Sequence, residues 1–344
     1  MGLLNELREF LKQIPDDCST IKNSVNETVK LLATFSNLET LDQLLQRIDL
    51  DLHDWQKRRG GAITDIAYQQ KENIAIRQRL DAKIATYSMF LAKESAVHNT
   101  RLSGYKNLIA EIFGGDPWQE GVQKADCHVF TFNYDRLFEV VFMDSFKSYD
   151  PSNFSLYGQD VLNSGFNRYA GEYTSVNVAS NRFCFLKLHG SVGWWAQNRN
   201  SGRGVRRYWP TVPVEAMSLQ QIEKSIPKDC GGPLGWEPLL TFPDERHGSQ
   251  EFFSGRGESS GYVWAPYIDA VWHHAATLLT IATEVKVIGY SFNPIDCRHV
   301  IDKLLDKTTC KKITIENKDP QSVERNLASY SQFKGRLVFE KKEF

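Results

Sequence analysis

Phe130-Thr131-Phe132-Asn133-Tyr134-Asp135 is the stretch on which the reading of this chain turns, together with Leu186-Lys187-Leu188-His189-Gly190-Ser191. Each is a short apolar run that stops at polar groups able to do chemistry. The first ends in an amide and a carboxylate, the second in an imidazole followed by Gly-Ser. In an open parallel sheet, ligands bind just outside the carboxyl ends of the strands. Two strands that end this way predict one shared site containing Asn133, Asp135 and His189.

These two belong to a series of six short apolar runs. His128 to Phe132, Phe183 to Leu188, Leu239 to Phe242, Val285 to Tyr290, Ile313 to Ile315 and Arg336 to Phe339 read as strands. Their hydrophobicity is continuous rather than alternating, which marks strands covered on both faces, as in parallel sheets. Helices lie between some of them. Ile268, Val271, Trp272, Ala275, Leu278, Leu279 and Ala282 form one inner face. Asn293-Pro294-Ile295-Asp296 opens another helix, with Asn as cap and Pro in the first turn, and Val300, Ile301, Leu304 and Leu305 carry its buried side. Strands alternating with helices predict an α/β, doubly wound, Rossmann-like parallel sheet over residues 121–344.

Residues 1–120 read as a large helical segment packed on that sheet, the whole forming one unit. Leu3, Leu4, Leu7, Phe10, Leu11 and Ile14 fall at helical spacing before Pro15-Asp16-Asp17. Leu41, Leu44, Leu45 and Ile48 mark a second helix. A longer one runs from about Ile63 to Lys93, with Ile66, Ile74, Leu80, Ile84, Tyr87 and Leu91 inside. Tyr105 to Phe113 closes the series at Gly114-Gly115-Asp116-Pro117. Ser201 to Gly235 and Glu245 to Tyr262 are rich in Gly, Ser, Pro and charge and read as long loops.

Composition narrows the class. A chain of 344 residues can bury a large core. Its 41 Lys and Arg against 42 Asp and Glu argue against a general nucleic-acid surface. No run reaches the ~18 apolar residues of a membrane span, and the acid-bearing N-terminus is not a secretory signal. The six cysteines are scattered without a C-x-x-C pair, so no metal is expected, and the thiols fit a reducing cytoplasm.

The residues by themselves leave plainer accounts open. Asn133 can close an Asx turn and Asp135 can cap the helix that follows. His189 can be a satisfied buried histidine, and Gly289 a tight turn. His273-His274 read as helix-surface histidines, Trp194-Trp195 and Trp209 as core or lid contacts. The charges of Pro243 to His247 and Arg203 to Arg207 read as solvated loop.

The order Thr131-Phe132-Asn133-Tyr134-Asp135, Leu188-His189-Gly190-Ser191, Ile288-Gly289-Tyr290-Ser291-Phe292 and Ile313-Thr314-Ile315-Glu316-Asn317 resembles the sirtuins. The form is similar to the bacterial sirtuin-like NAD-hydrolysing domains of antiphage defence. The resemblance implies that Asn133 and Asp135 line the nicotinamide-ribose end of NAD and that His189 acts on the ribose hydroxyls as general base. Gly289 and Ser291 would approach the phosphate and adenine-ribose portion, and Asn317 would bond the adenosine ribose. Thr131, Gly190 and Ser191 complete the implied NAD-binding set. NAD is then the substrate, cleaved to ADP-ribose and nicotinamide in the cytoplasm, with activity held in check by a protein partner or by homo-oligomerisation.

Two departures accompany the resemblance. The four-cysteine zinc module of the protein deacylases is absent, which argues against an NAD-dependent deacylase. The family's opening strand and Gly-Ala-Gly-x-Ser loop, whose backbone N–H groups hold the phosphates, are also absent from the chain as it stands. Either the true start lies roughly 20–30 residues upstream, the length of a strand and glycine turn, or this is a shortened nucleotide-binding module with impaired turnover. Intact later motifs favour the first account.

Overall fold

The computed structural model describes residues 3–35, 44–45, 47–48, 51, 54–55, 66–97, 102–113, 127–145, 184–197, 206–207, 217–228, 230, 236–240, 265–292, 300–301 and 304–342. These form a mixed α/β protein with short sheets. In chain order the elements begin α1 (Leu3–Gln13), α2 (Ser19–Thr34), α3 (Ile66–Ser95), α4 (Ser103–Phe113), β1 (Val129–Thr131), α5 (Leu137–Ser145) and β2 (Phe185–Lys187). They continue β3 (Gly190–Gln197), β4 (Arg206–Arg207), α6 (Leu219–Ser225), β5 (Trp236–Leu240), α7 (Ala265–Ile281), β6 (Val285–Ile288), β7 (Ile313–Asn317), α8 (Pro320–Leu327) and β8 (Leu337–Lys341). The chain divides into two compact units. One gathers Met1–Lys106, Phe132–Lys147 and His189–Ala265; the other gathers Asn107–Thr131, Ser148–Leu188 and Pro266–Phe344.

The first unit is built on α1, α2 and α3. Leu7, Phe10, Ile21, Val25, Leu32, Leu80, Ile84, Tyr87 and Leu91 share one core with Val192, Trp195, Ile222 and Leu240. Each fully buried aliphatic or aromatic side chain contributes about 1.5–3 kcal/mol. Helix α2 escapes a reading by hydrophobic period because its inner face carries hydroxyls. Ser24 Oγ donates to Asp81 at 2.9 Å, and Thr28 Oγ1 donates to the Ser24 carbonyl at 2.7 Å. Helix α3 corrects the expected inner face at its start: Ile66 is 72 % exposed and Ile74 is 51 % exposed. Arg79, Asp81, Lys83 and Glu94 are buried instead, which requires partners for their charges. Leu44, Leu45 and Ile48 are helical and buried as read, while Leu41 lies outside the described residues.

The sheet of this unit runs β4-β3-β5 and is antiparallel. The expectation for β5 as a parallel strand fails here: Gly190 pairs with Leu240 and Gln197 with Trp236 in opposite directions. Strand β3, rich in small residues at Gly190-Ser191-Val192-Gly193, carries no apolar run to mark it. The stretch read as loop from Ser201 to Gly235 also holds α6, opened by a Ser218–Gln221 capping box. Trp195 is fully buried edge-on to Tyr87, with centroids 5.0 Å apart. Residues 245–262, the charged run at 243–247, Trp209 and residues 203–205 lie outside the described residues.

The second unit holds two parallel sheets, β1-β2 and β6-β7-β8. Val129 pairs with Phe185 and Thr131 with Lys187. Every residue of β7 is buried, the pattern of a strand covered on both faces. Strand β6 stops at Ile288 because Gly289 turns the chain at φ +70°. Asp319 caps α8, with Pro320 in its first turn. Val300, Ile301, Leu304 and Leu305 are buried, whereas residues 293–299 lie outside the described residues. His274 is not a surface histidine. It is 4 % exposed, with Nε2 3.7 Å from Cys184 Sγ.

Candidate functional site

Asn133, Asp135, His189, Gly190 and Ser191 fall in the first unit; Thr131, Gly289, Ser291 and Asn317 fall in the second. In the first, the stretch from Phe132 to Arg136 leaves strand geometry and enters α5. The Tyr134 carbonyl accepts the Val192 N–H at 2.9 Å, tying this turn to the start of β3. His189 is 5 % exposed. Its ring meets Phe132 edge-on, with centroids 5.0 Å apart, and lies tilted on Tyr134 at 6.1 Å. The imidazole therefore packs against the two residues that flank Asn133. Phe90 of α3 meets the Tyr134 ring edge-on, with centroids 6.0 Å apart.

Asn133 is exposed. Asp135 is half-buried and its Oδ1 accepts the Leu137 N–H at 3.0 Å, the cap of α5. Capping fixes the carboxylate and leaves a ligand role compatible with it. Gly190 takes φ +82°, where a side chain is strained, so the chain reverses directly after the imidazole. Ser191 is fully buried.

Sequence reasoning missed three residues here. Glu94, near the end of α3, accepts the Arg136 backbone N–H at 2.6 Å and its guanidinium at 2.9 and 2.8 Å. Burial pushes the Glu94 carboxyl up, and the Glu94 charge keeps Arg136 protonated. Tyr105 is the third. Burial, then the negative charge of Asp135, raises the phenol of Tyr105, in the first turn of α4, far above the ordinary range. Tyr105 therefore stays neutral. No apolar period signals such residues; a Glu in Lys93-Glu94-Ser95 reads as solvated helix end.

In the second unit, Asn317 is a brace for turns. Its Nδ2 donates to the Tyr290 carbonyl at 3.0 Å, and its Oδ1 accepts the Asp319 N–H at 2.9 Å. Asn326 Nδ2 donates to the Ser291 carbonyl at 3.0 Å. The loop they hold contains Gly289 at φ +70° and Phe292 at φ 49°, the latter fully buried. Gly289 and Ser291 are exposed. Thr131 is half-buried within β1. Among the described residues, no group of His, Cys, Asp and Glu could hold a metal ion, and no helix is long and apolar enough to cross a membrane.

Residues 127–210 match the model of one protein family, the SIR2-like domain. The matched stretch holds β1 to β4 and, with them, Thr131, Asn133, Asp135, His189, Gly190 and Ser191. It supports a sirtuin-like relationship, and that family uses NAD. Gly289, Ser291 and Asn317 lie beyond the matched residues. No curated protein matches the chain.

Proposed function

We propose that this protein is a sirtuin-like NAD+ glycohydrolase that splits NAD+ and water into nicotinamide and ADP-ribose, on a Rossmann-like NAD-binding fold. The observation that carries the reading is the packing of His189 against Phe132 and Tyr134, on either side of Asn133, inside the stretch that matches the SIR2-like domain. The C1′–N bond breaks and its electron pair returns to the pyridinium nitrogen, so nicotinamide leaves neutral. Charge grows on the ribose as an oxocarbenium-like ion. A water oxygen bonds to C1′ and gives up its proton. Asn133 would orient that water through its amide. Asp135 would favour the developing cation by its charge. His189 would accept a proton from a ribose hydroxyl. Thr131, Gly190, Ser191, Gly289, Ser291 and Asn317 are proposed NAD-binding residues. A cytoplasmic antiphage defence effector, silent until a partner or self-association releases it, is the setting the resemblance implies.

A nucleotide-binding module without turnover is the second reading, and the burial of His189 favours it. The two part in one experiment. NAD+ is incubated with the full gene product, alone and with proteins encoded beside it, and nicotinamide and ADP-ribose are measured by chromatography. Equimolar release of both supports the hydrolase. Tight NAD+ binding with no release supports the module.

A further inference from the structure

We infer that Glu94 is a positioning residue for Asp135, holding the turn that carries this carboxylate in one place while NAD+ reacts. The inference rests on the glycohydrolase reading above and adds to it a residue outside every strand-end motif. Phe90 and Glu94 stand one helical turn apart on α3, on one face of it. They reach the two chain neighbours of Asp135. The Phe90 ring meets the Tyr134 ring, with centroids 6.0 Å apart. Glu94 takes Arg136: one carboxylate oxygen accepts the backbone N–H at 2.6 Å, and the other accepts hydrogens from guanidinium Nε and Nη2 at 2.9 and 2.8 Å. The same short stretch is tied at two further points. The Tyr134 carbonyl accepts the Val192 N–H at 2.9 Å, and Asp135 Oδ1 accepts the Leu137 N–H at 3.0 Å.

The chemistry asks for such a tether. A carboxylate stabilises a developing cation best when its position is set before the reaction begins. Residues 132–136 run between β1 and α5, outside both elements, so neither strand nor helix sets their path. Glu94 supplies that constraint from a 30-residue helix whose Leu80, Ile84 and Leu91 are anchored in the core. Pairing the charges alone would fix only the end of a long arginine side chain. The bond to the Arg136 N–H fixes main chain, one peptide unit from Asp135. With side-chain exposures of 5 % for Glu94 and 15 % for Arg136, the three bonds are shielded from exchange with water.

The test replaces the pair by apolar side chains, Glu94→Met with Arg136→Leu, so that no buried charge is left alone and the protein stays folded. Two readouts are taken on the full protein. The first needs no NAD+: hydrogen exchange at the Leu137 and Val192 amides, the donors to Asp135 and to the Tyr134 carbonyl. Exchange there is expected to speed up on the order of tenfold, the scale of one hydrogen bond, with the amides of α1 and α2 at parental rates. The second is steady-state NAD+ hydrolysis. The value of kcat is expected to fall roughly 10²-fold, the scale of a displaced reacting group, with KM little changed. A melting temperature near the parental one separates this from unfolding, because a merely structural pair would regain kcat together with stability. Glu94→Gln keeps the shape and an acceptor for the Arg136 N–H. It should show both changes to a smaller degree, and it carries the test should the double variant fail to fold. Parental exchange at Leu137 and Val192, or a kcat equal to that of the parent, overturns the inference. A parent protein that leaves NAD+ intact overturns the glycohydrolase reading, and the exchange readout then decides by itself whether Glu94 holds the Asp135 turn.

Discussion

Glu94 grips Arg136 at three points, the backbone N–H at 2.6 Å and the guanidinium at 2.9 and 2.8 Å, and thereby joins the end of α3 to the turn that follows Asn133, Tyr134 and Asp135. Both partners are largely out of water, with side-chain exposures of 5 % and 15 %. Deleting one partner leaves the other as an uncompensated buried charge, at a cost of about 3–5 kcal/mol. Glu94→Ala is therefore expected to lower unfolding stability by about that amount in urea titrations. Replacing both, as Glu94→Met with Arg136→Leu, should recover most of it, because a buried pair is often no better than apolar packing of similar volume. A loss below about 0.5 kcal/mol, the range of ordinary surface substitutions, would show that the grip contributes nothing.

Gly289 supplies a second expectation. Its φ is +70°, and among the described residues nothing lies within 4 Å of where a Cβ would stand. No described neighbour opposes a methyl group, so the penalty expected for Gly289→Ala is that of the backbone. A left-handed conformation costs an L residue roughly 1–2 kcal/mol. Thermal and urea unfolding should report that loss. A neutral effect would mean that the turn after β6 relaxes to another conformation.

The strands that end in polar groups were the most legible part of the chain. The run Phe130-Thr131-Phe132 before Asn-Tyr-Asp reads as the end of a strand, and β1 and β2 do pair in parallel, Thr131 beside Lys187. Helix α2 was not legible, because Ser24 and Thr28 face inward and satisfy their hydroxyls on Asp81 and a carbonyl. Strand β3 was hidden by its glycines, and without it β5 could not be recognised as antiparallel. Ile66 and Ile74 follow the helical period yet lie exposed, since period predicts a face and not what covers it. At the site, Asn133, Asp135 and His189 stood out as strand-end groups. Glu94 did not, because its role depends on a contact across 42 residues of sequence.

His128, directly before β1, gives the chain a pH dependence. Burial lowers its pKa from the ordinary 6.5, and its Nδ1 has no hydrogen-bond partner among the described residues. The folded protein therefore binds this proton less readily than the unfolded chain does. Stability from this group is complete above pH 6.5 and is lost as pH falls through the lower folded value. Melting temperature should decline below pH 6.5, and His128→Leu should flatten that part of the curve. A decline as steep in the variant as in the parent would assign it to other groups.

His189 and Asn133 separate chemistry from scaffolding. His189 is buried between aromatic rings, so His189→Ala would open a cavity as well as remove a base. His189→Gln keeps a polar side chain of comparable reach and removes the imidazole. A positioned acid–base group is worth about 10²–10⁴-fold in rate. On the glycohydrolase reading, kcat for NAD+ should fall by that factor in His189→Gln with the melting temperature within a few degrees of the parent. Asn133→Ala, on an exposed side chain, should leave stability nearly unchanged while also depressing kcat. If both variants turn over NAD+ at the parental rate, the strand ends that carry them are scaffolding, and the reacting groups lie elsewhere in the protein.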